Sequence, residues 1–135
     1  MTTHSQLSPQ EAARELLRRR TVRRDLTAWS LQCGFTPAKH HKLLINRLEA
    51  VTRGEIDRLA IFMPPGSAKS TYSSAVFPPW YLAQDPTKSI IAASHTAELA
   101  ERWGRRVRNL IAEHGATLGY GIASDNQSAG RWATA

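Results

Sequence analysis

The sequence contains a single cysteine, Cys33, among its 135 residues. One thiol can form neither an intrachain disulfide nor a cysteine-based zinc site, so a reducing cytoplasm is the expected compartment. Long apolar runs are missing too, because no stretch approaches the roughly 20 residues that a membrane span needs. The polar start MTTHSQLSPQ lacks the apolar centre of a signal peptide. We therefore expect a soluble protein that has no membrane segment and is not secreted.

Acidic residues are also scarce, with 11 aspartates and glutamates against 18 lysines and arginines, a net charge of +7. Most of the basic residues are arginines, whose planar fork pairs well with phosphate and carboxylate groups. A polyanionic partner such as nucleic acid is one interpretation, and a solvated basic surface is the other. The apolar fraction of 41% is ordinary for a globular domain, and 135 residues can bury one core.

Residues 1–34 form a basic helical segment. The stretch SPQEAARELLRRRTVRRDLTAW opens with Ser8 as N-cap, Pro9 at the first helical position and Glu11 three residues after the cap, a pattern typical of a helix start. Gly34 ends the next helical stretch. The segment is expected to contact DNA or another subunit, or to have only a solvated face. Its arginines are Arg14, Arg18, Arg19, Arg20, Arg23 and Arg24.

Residues 35–135 alternate between helical and strand-like patterns. FTPAKHHKLLINRLEAVTRG and TAELAERWGRRVRNLIAEHG predict helices, and the short apolar runs RLAIFM and KSIIAAS suit buried strands of a parallel sheet. STYSSAVFPPWYLAQ is helical in pattern, although Pro78 and Pro79 are expected to kink or break it. The tail TLGYGIASDNQSAGRWATA holds two strand-like pieces around a polar turn. The order predicts an α/β fold with a parallel-strand core and flanking helices.

A phosphate-binding loop is predicted between RLAIFM and the helix after it. Backbone N–H groups at a helix N-terminus can point at phosphate oxygens, and the helix dipole favours negative charge there. Pro64 and Pro65 have no N–H, so the donors begin at the next residue. Lys69 is predicted to contact the terminal phosphates and Ser70 to bind Mg²⁺. The predicted nucleotide-binding residues are Gly66, Ser67, Ala68, Lys69, Ser70 and Thr71.

The loop departs from the usual G-x-x-x-x-G-K-[ST] pattern at both glycines, which are replaced by Met63 and Ala68. If position 68 requires a positive φ, alanine there costs on the order of 1 kcal/mol. The surrounding order of apolar run, Pro-Pro-Gly turn, Lys-Ser-Thr and helix still favours phosphate binding. The alternative is an ordinary strand-to-helix turn with an exposed lysine.

Three stretches, RLAIFMPPGSAKSTYSSAVFPPWYLA, IIAASHTAELAERWGRRVRNLI and AGRW, together resemble the N-terminal ATPase region of the large terminase subunit of tailed bacteriophages and prophages. The resemblance runs from about Phe35 to the last residue. It implies a partial P-loop NTPase fold preceded by N-terminal helices, with ATP and Mg²⁺ as cofactors and Lys69 as the catalytic residue of the loop. The partners it implies are double-stranded DNA, the portal protein, the small terminase subunit and further copies in a ring. The implied location is the cytoplasm of the bacterial host, and transiently the procapsid portal.

The resemblance also implies contacts outside the loop. His41 or His40 lies where this family places a contact to the adenine base, and two surface histidines at a helix start are the alternative. Ser94 and His95 follow KSIIAA at a position that faces nucleotide and DNA in such motors.

Carboxylates that could complete a catalytic site are missing after Ile91, where no acidic pair follows an apolar run. Hydrolysis of this type needs acidic groups to hold Mg²⁺ and to orient the attacking water. We therefore expect a chain that is not catalytically complete. It is either an N-terminal part of a terminase motor, a stand-alone basic module that binds nucleic acid or a subunit, or part of another P-loop ATPase such as a helicase.

Overall fold

The computed structural model describes residues 7–127 and 130–135, and most of this part of the chain is helical. None of the described helices combines the length and the apolar character that a membrane crossing requires. The elements, in chain order, are α1 (Pro9–Arg24), α2 (Leu26–Gln32), α3 (Lys39–Thr52), a π-helical turn (Thr71–Val76), α4 (Phe77–Gln84), α5 (Ala97–Leu118), β1 (Ile122–Gln127) and β2 (Trp132–Thr134).

Capping side chains explain where three of the helices begin. Ser8 Oγ accepts a hydrogen bond from the Glu11 N–H at 3.3 Å, and the Glu11 carboxylate accepts one from the Ser8 N–H at 2.8 Å. This is the capping box that the sequence predicts for α1. Asp25 separates α1 from α2 and caps the latter by accepting from the Ala28 N–H. Thr96 caps α5 in the same way. The basic N-terminal helix and the long helix α5 are thus confirmed.

The helix after the predicted loop contains a π-helical turn immediately before Pro78 and Pro79. A proline has no N–H, so the carbonyl four residues before each of them has no α-helical donor. The chain adopts a wider hydrogen-bond pattern here, in which the Phe77 N–H donates to the Tyr72 carbonyl five residues earlier. Both prolines then lie in the first turn of α4, where N–H groups are not needed. The helix therefore continues without a break, and a π turn lies where a kink or break was expected.

Trp29 lies at the centre of the core and is fully buried. Its indole Nε1–H donates to the Val76 carbonyl at 2.7 Å, and its ring meets the His114 ring edge-on at 5.3 Å between centroids. These contacts join α2 to the π turn and to α5. The same core therefore contains residues from both sides of position 35, namely Val22, Leu26, Leu44, Ile45, Leu48, Tyr72, Val76, Trp80, Val107, Ile111 and Leu118.

The predicted parallel-strand core of a P-loop NTPase fold is wrong. Within residues 7–127 and 130–135, the only sheet is the antiparallel pair of β1 and β2, which matches the two strand-like pieces of the tail. RLAIFM (58–63) and KSIIAAS (88–94) contain no strand, because neither is hydrogen-bonded to a neighbouring strand within the described chain. Phe62 and Ile91 are 91% and 97% exposed. Apolar character alone therefore did not bury these runs in a sheet, and the described chain is mainly α-helical.

Cys33 ends α2, and its thiol is partly buried against the core. Burial raises the pKa of this thiol to about 12, with a further contribution from the negative charge of Glu113. The thiol therefore stays protonated at neutral pH, and the protonated form is the unreactive one.

Candidate phosphate-binding loop

The loop between Pro64 and Thr71 contains two residues in the left-handed conformation. Gly66 has a φ of 77° and Ala68 a φ of 59°. Among residues 7–127 and 130–135, Ala68 is the one non-glycine residue with a positive φ. This is the conformation that a glycine usually supplies in a phosphate-binding loop, and alanine adopts it at a cost on the order of 1 kcal/mol. The backbone at Ala68 is thus shaped as such a loop requires.

Most backbone N–H groups of the loop have no partner in the described chain. Two intrachain backbone bonds involve it, from the Ser67 N–H to the Pro64 carbonyl at 3.3 Å and from the Tyr72 N–H to the Ala68 carbonyl at 3.2 Å. The second bond closes the first helical turn, so the N–H groups before it are the free donors of a helix start. Those without a backbone acceptor in the described residues are Gly66, Ala68, Lys69, Ser70 and Thr71. They can act as hydrogen-bond donors to an anion.

Lys69 and Ser70 begin this helical turn, and both side chains are half-buried. The Lys69 carbonyl accepts a hydrogen bond from Ser73 Oγ at 2.9 Å, which fixes the start of the helix. The Ser67 hydroxyl is shielded from solvent and has no hydrogen-bond partner. Lys69 and Ser70 thus lie at the start of the helical turn, in the same segment as the free N–H groups.

His41 is hydrogen-bonded through both ring nitrogens. The Ala38 N–H donates to Nδ1 at 3.1 Å, so the proton of the neutral ring is on Nε2. Nε2 lies 2.8 Å from the Ser67 carbonyl oxygen, to which it donates. The His41 ring also stacks on Tyr72, with centroids 4.4 Å apart and planes 30° apart. The predicted base contact therefore lies beside the loop and is bonded to it.

Tyr72 is a site residue that the sequence did not reveal. It is 3% exposed, and burial raises the pKa of its hydroxyl. Tyr72 and His41 are 31 residues apart on different helices, so no spacing rule could pair them. The π turn after the candidate loop is therefore joined to α3 by a contact that is visible only in the folded chain.

Two open concavities flank the loop. One, of about 420 Å³, is lined by residues 63–71, and the other, of about 490 Å³, is lined by residues 63–68 with His40 and His41. No aspartate or glutamate is among the described residues that line either of them. Clusters of three or more potential metal-binding side chains are also absent from the described chain. The side-chain oxygens that line the first concavity are thus the hydroxyls of Ser67, Ser70 and Thr71.

Ser94 and His95 are exposed and lie in the bend before α5. Neither lines the concavities on the two sides of the loop. They precede the N-cap Thr96 instead of following a strand of a sheet. Neither residue therefore shares a concavity beside the loop with Lys69.

Five of the six arginines of α1, all except Arg14, fall into two sets. Arg18 and Arg19 pair with Glu15 at 2.8 Å, and these hydrogen bonds lower the pKa of Glu15 to about 2. A second set makes no ion pair within the described chain and lines a concavity of about 460 Å³ between α1 and α4. The Arg23 Nε in this set is shielded from solvent and has no partner. The concavity is lined by Leu16, Arg20, Arg23, Arg24, Ala83 and Gln84.

Comparison of the chain with protein-family models, with curated proteins and with solved structures finds no match. The likeness to terminase large subunits therefore depends on the sequence stretches quoted above.

Proposed function

We propose that residues 64–71 bind the phosphate groups of ATP together with Mg²⁺. The observation that carries the proposal is the left-handed backbone of Gly66 and Ala68 immediately before a helix, which leaves successive N–H groups free for an anion. An ordinary loop has no need of alanine in this costly conformation. Strained backbone of this kind clusters at ligand-binding sites.

Lys69 and Ser70 supply the remaining chemistry of the proposed site. The Lys69 ammonium adds a positive charge at the helix start, where the terminal phosphates of a nucleotide lie. The Ser70 hydroxyl provides one oxygen ligand to Mg²⁺, which takes its other oxygens from phosphates and water. No described residue with a carboxylate lines the loop, so Mg²⁺ binding depends on the nucleotide.

The wider role is proposed from the sequence resemblance alone. The chain carries the ATP-binding loop of a terminase-like motor that packages viral DNA into the procapsid. Its partners in this role are double-stranded DNA, a portal protein, a small terminase subunit and further copies of itself. It acts in the cytoplasm of the bacterial host, and transiently at the procapsid portal.

The purified 135-residue chain should bind Mg²⁺-ATP without hydrolysing it. Binding needs the N–H groups and Lys69, whereas turnover also needs acidic groups to fix Mg²⁺ and to orient water. Loss of each such element lowers the rate of hydrolysis by a factor of about 10² to 10⁴, so a chain that lacks several should show no measurable turnover. Isothermal titration measures binding, and release of inorganic phosphate measures turnover.

Adenosine is the matched control ligand, because it carries the base without phosphates. Saturable binding of Mg²⁺-ATP, with adenosine bound far more weakly, supports the proposed site. Equal binding of both ligands, or binding of neither, contradicts it. Phosphate release above background would show that a catalytic acid lies elsewhere in the chain.

A second candidate function is nucleic-acid binding through the arginine concavity beside α1. Arg20, Arg23 and Arg24 are free of ion pairs in the described chain, and no described carboxylate lines the concavity. Guanidinium groups that lack a protein partner are available to backbone phosphates. The alternative is that Arg23 and Arg24 only stabilise the C-terminal end of α1 through its dipole.

Replacing Arg20 and Arg24 with glutamine should reduce the slope of log affinity against log salt by about 2 units for duplex DNA, because each phosphate contact contributes about 0.9. The matched control is the double variant Arg18→Gln and Arg19→Gln, whose arginines are already paired with Glu15. The control should change the slope much less. Fluorescence anisotropy at several salt concentrations measures both, and equal slopes in the two double variants would contradict this assignment.

A further inference from the structure

We propose that His41 is a positioning residue, which aims the backbone of the phosphate loop and does not hold the base. This inference rests on the proposed phosphate binding at residues 64–71 and assigns to His41 a specific part in it. The ring is the one described side chain hydrogen-bonded to the loop backbone between Pro64 and Ala68. It joins the start of α3 to the loop.

The bond to Ser67 controls the direction of a neighbouring donor. The Ser67 carbonyl and the Ala68 N–H belong to the same planar peptide unit, and in a trans peptide they point in opposite directions. Since His41 Nε2–H holds the carbonyl oxygen at 2.8 Å, the Ala68 N–H points away from α3. This N–H has no backbone acceptor in the described chain. His41 thereby presents a free donor to an anion.

The same bond also holds Ala68 in its left-handed conformation. The backbone φ of 59° at Ala68 is unfavourable for alanine. Rotation of the peptide unit before Ala68 would relieve this cost, and it would also break the bond from His41. The positioning bond therefore opposes the relaxation of the loop.

Both nitrogens of the His41 ring are hydrogen-bonded, and two other rings contact it. Nδ1 accepts from the Ala38 N–H, and Nε2 donates to Ser67. Tyr72 stacks on the ring at 4.4 Å, and the His40 ring lies at 4.0 Å. An adenine base could hydrogen-bond to His41 only by displacing one of these protein partners. The arrangement fits a structural support of the loop better than a base contact.

The test compares Mg²⁺-ATP with Mg²⁺-tripolyphosphate, which carries the phosphates without a base. His41→Ala should weaken binding of both ligands by a similar factor, about 3- to 10-fold, as expected for loss of one ordinary hydrogen bond that holds the site. His41→Gln should recover part of the affinity for both, because a glutamine amide can still donate to the Ser67 carbonyl. Asn46→Ala is the matched control on α3, because Asn46 is exposed and lines neither concavity beside the loop, and it should leave the affinity for both ligands unchanged.

A weaker affinity of His41→Ala for ATP alone would overturn the inference and identify His41 as a base contact. Equal affinity of wild type and His41→Ala for both ligands would overturn it as well. Circular dichroism of each variant establishes that it is folded, and the amide NMR signal of Ala68 should move in His41→Ala and not in Asn46→Ala. If the wild-type chain binds neither ligand, the proposed function fails and this inference fails with it, a result distinguishable from the other two.

Discussion

Trp29→Ala should lower the free energy of unfolding by about 3 to 5 kcal/mol, the cost typical of deleting a large buried aromatic side chain. Trp29 is fully buried, and the substitution also removes the donor to the Val76 carbonyl. Single domains are stable by roughly 5 to 15 kcal/mol, so this loss is a large share of the total. Urea-induced unfolding, followed by far-UV circular dichroism, measures it.

Two further variants separate the causes of this loss. Trp29→Phe keeps an aromatic ring and removes the indole N–H, and it should cost less than Trp29→Ala. Leu31→Ala, two residues away on α2, alters a side chain that is 54% exposed and should stay within about 0.5 kcal/mol of the wild type. A Trp29→Ala variant as stable as Leu31→Ala would show that the core is not centred on Trp29.

Lys69→Ala should weaken the binding of Mg²⁺-ATP by about 10- to 100-fold. A hydrogen bond to a charged group contributes roughly 1.5 to 3 kcal/mol, and a phosphate that loses the ammonium keeps only the backbone donors. Lys69 begins the helical turn after the left-handed Ala68, so its side chain starts beside the free N–H groups. Isothermal titration of the wild type and the variant gives the ratio of Kd values.

Lys88→Ala is the control for the loss of one positive charge. Lys88 is exposed and outside both concavities beside the loop. Its removal should change the affinity for Mg²⁺-ATP by less than about twofold, because exposed charges at a distance are screened by salt. An equal loss of affinity in both variants would mean that ATP is attracted by net charge and not bound at the loop.

The helices were predictable because their signals are local. The capping box of Ser8 and Glu11 involves only four consecutive residues, and the structure contains both of its reciprocal hydrogen bonds. The threonine cap of α5 is equally local, and the helix it begins runs from Ala97 to Leu118. The π turn was not foreseen, although its cause, the missing N–H groups of Pro78 and Pro79, is visible in the sequence.

The two apolar runs could not show that the predicted parallel sheet is absent from the described chain, because a strand exists only with a hydrogen-bonded neighbour. The pattern of RLAIFM fixes which side chains can be buried, and Leu59, Ile61 and Met63 do pack against the core. The intervening Phe62 is exposed, and the run stays without a ladder in the described chain. Local composition therefore predicted a buried strand, whereas the segment is packed on one side only and has no partner strand in the described chain.

The loop was partly predictable. The Pro-Pro-Gly turn and Lys-Ser-Thr drew attention to the segment, and the positive φ considered for position 68 is present, since Ala68 has a φ of 59°. The support of the loop could not be foreseen, because the His41–Tyr72 stack and the bond to Ser67 join residues far apart in the chain. Binding of ATP and Mg²⁺ by the loop stays a prediction.

The rate at which the Cys33 thiol reacts with a labelling reagent can measure how often α2 separates from the core. Thiol reagents react with the thiolate, and burial of Cys33 raises its pKa to about 12, so the closed molecule is labelled slowly at neutral pH. Molecules in which α2 has separated from the core expose the thiol and are modified. The ratio of the labelling rate in the native chain to that in the unfolded chain therefore measures the opening equilibrium around α2. Because the chain has no second cysteine, the whole signal comes from this one position, without any engineered label.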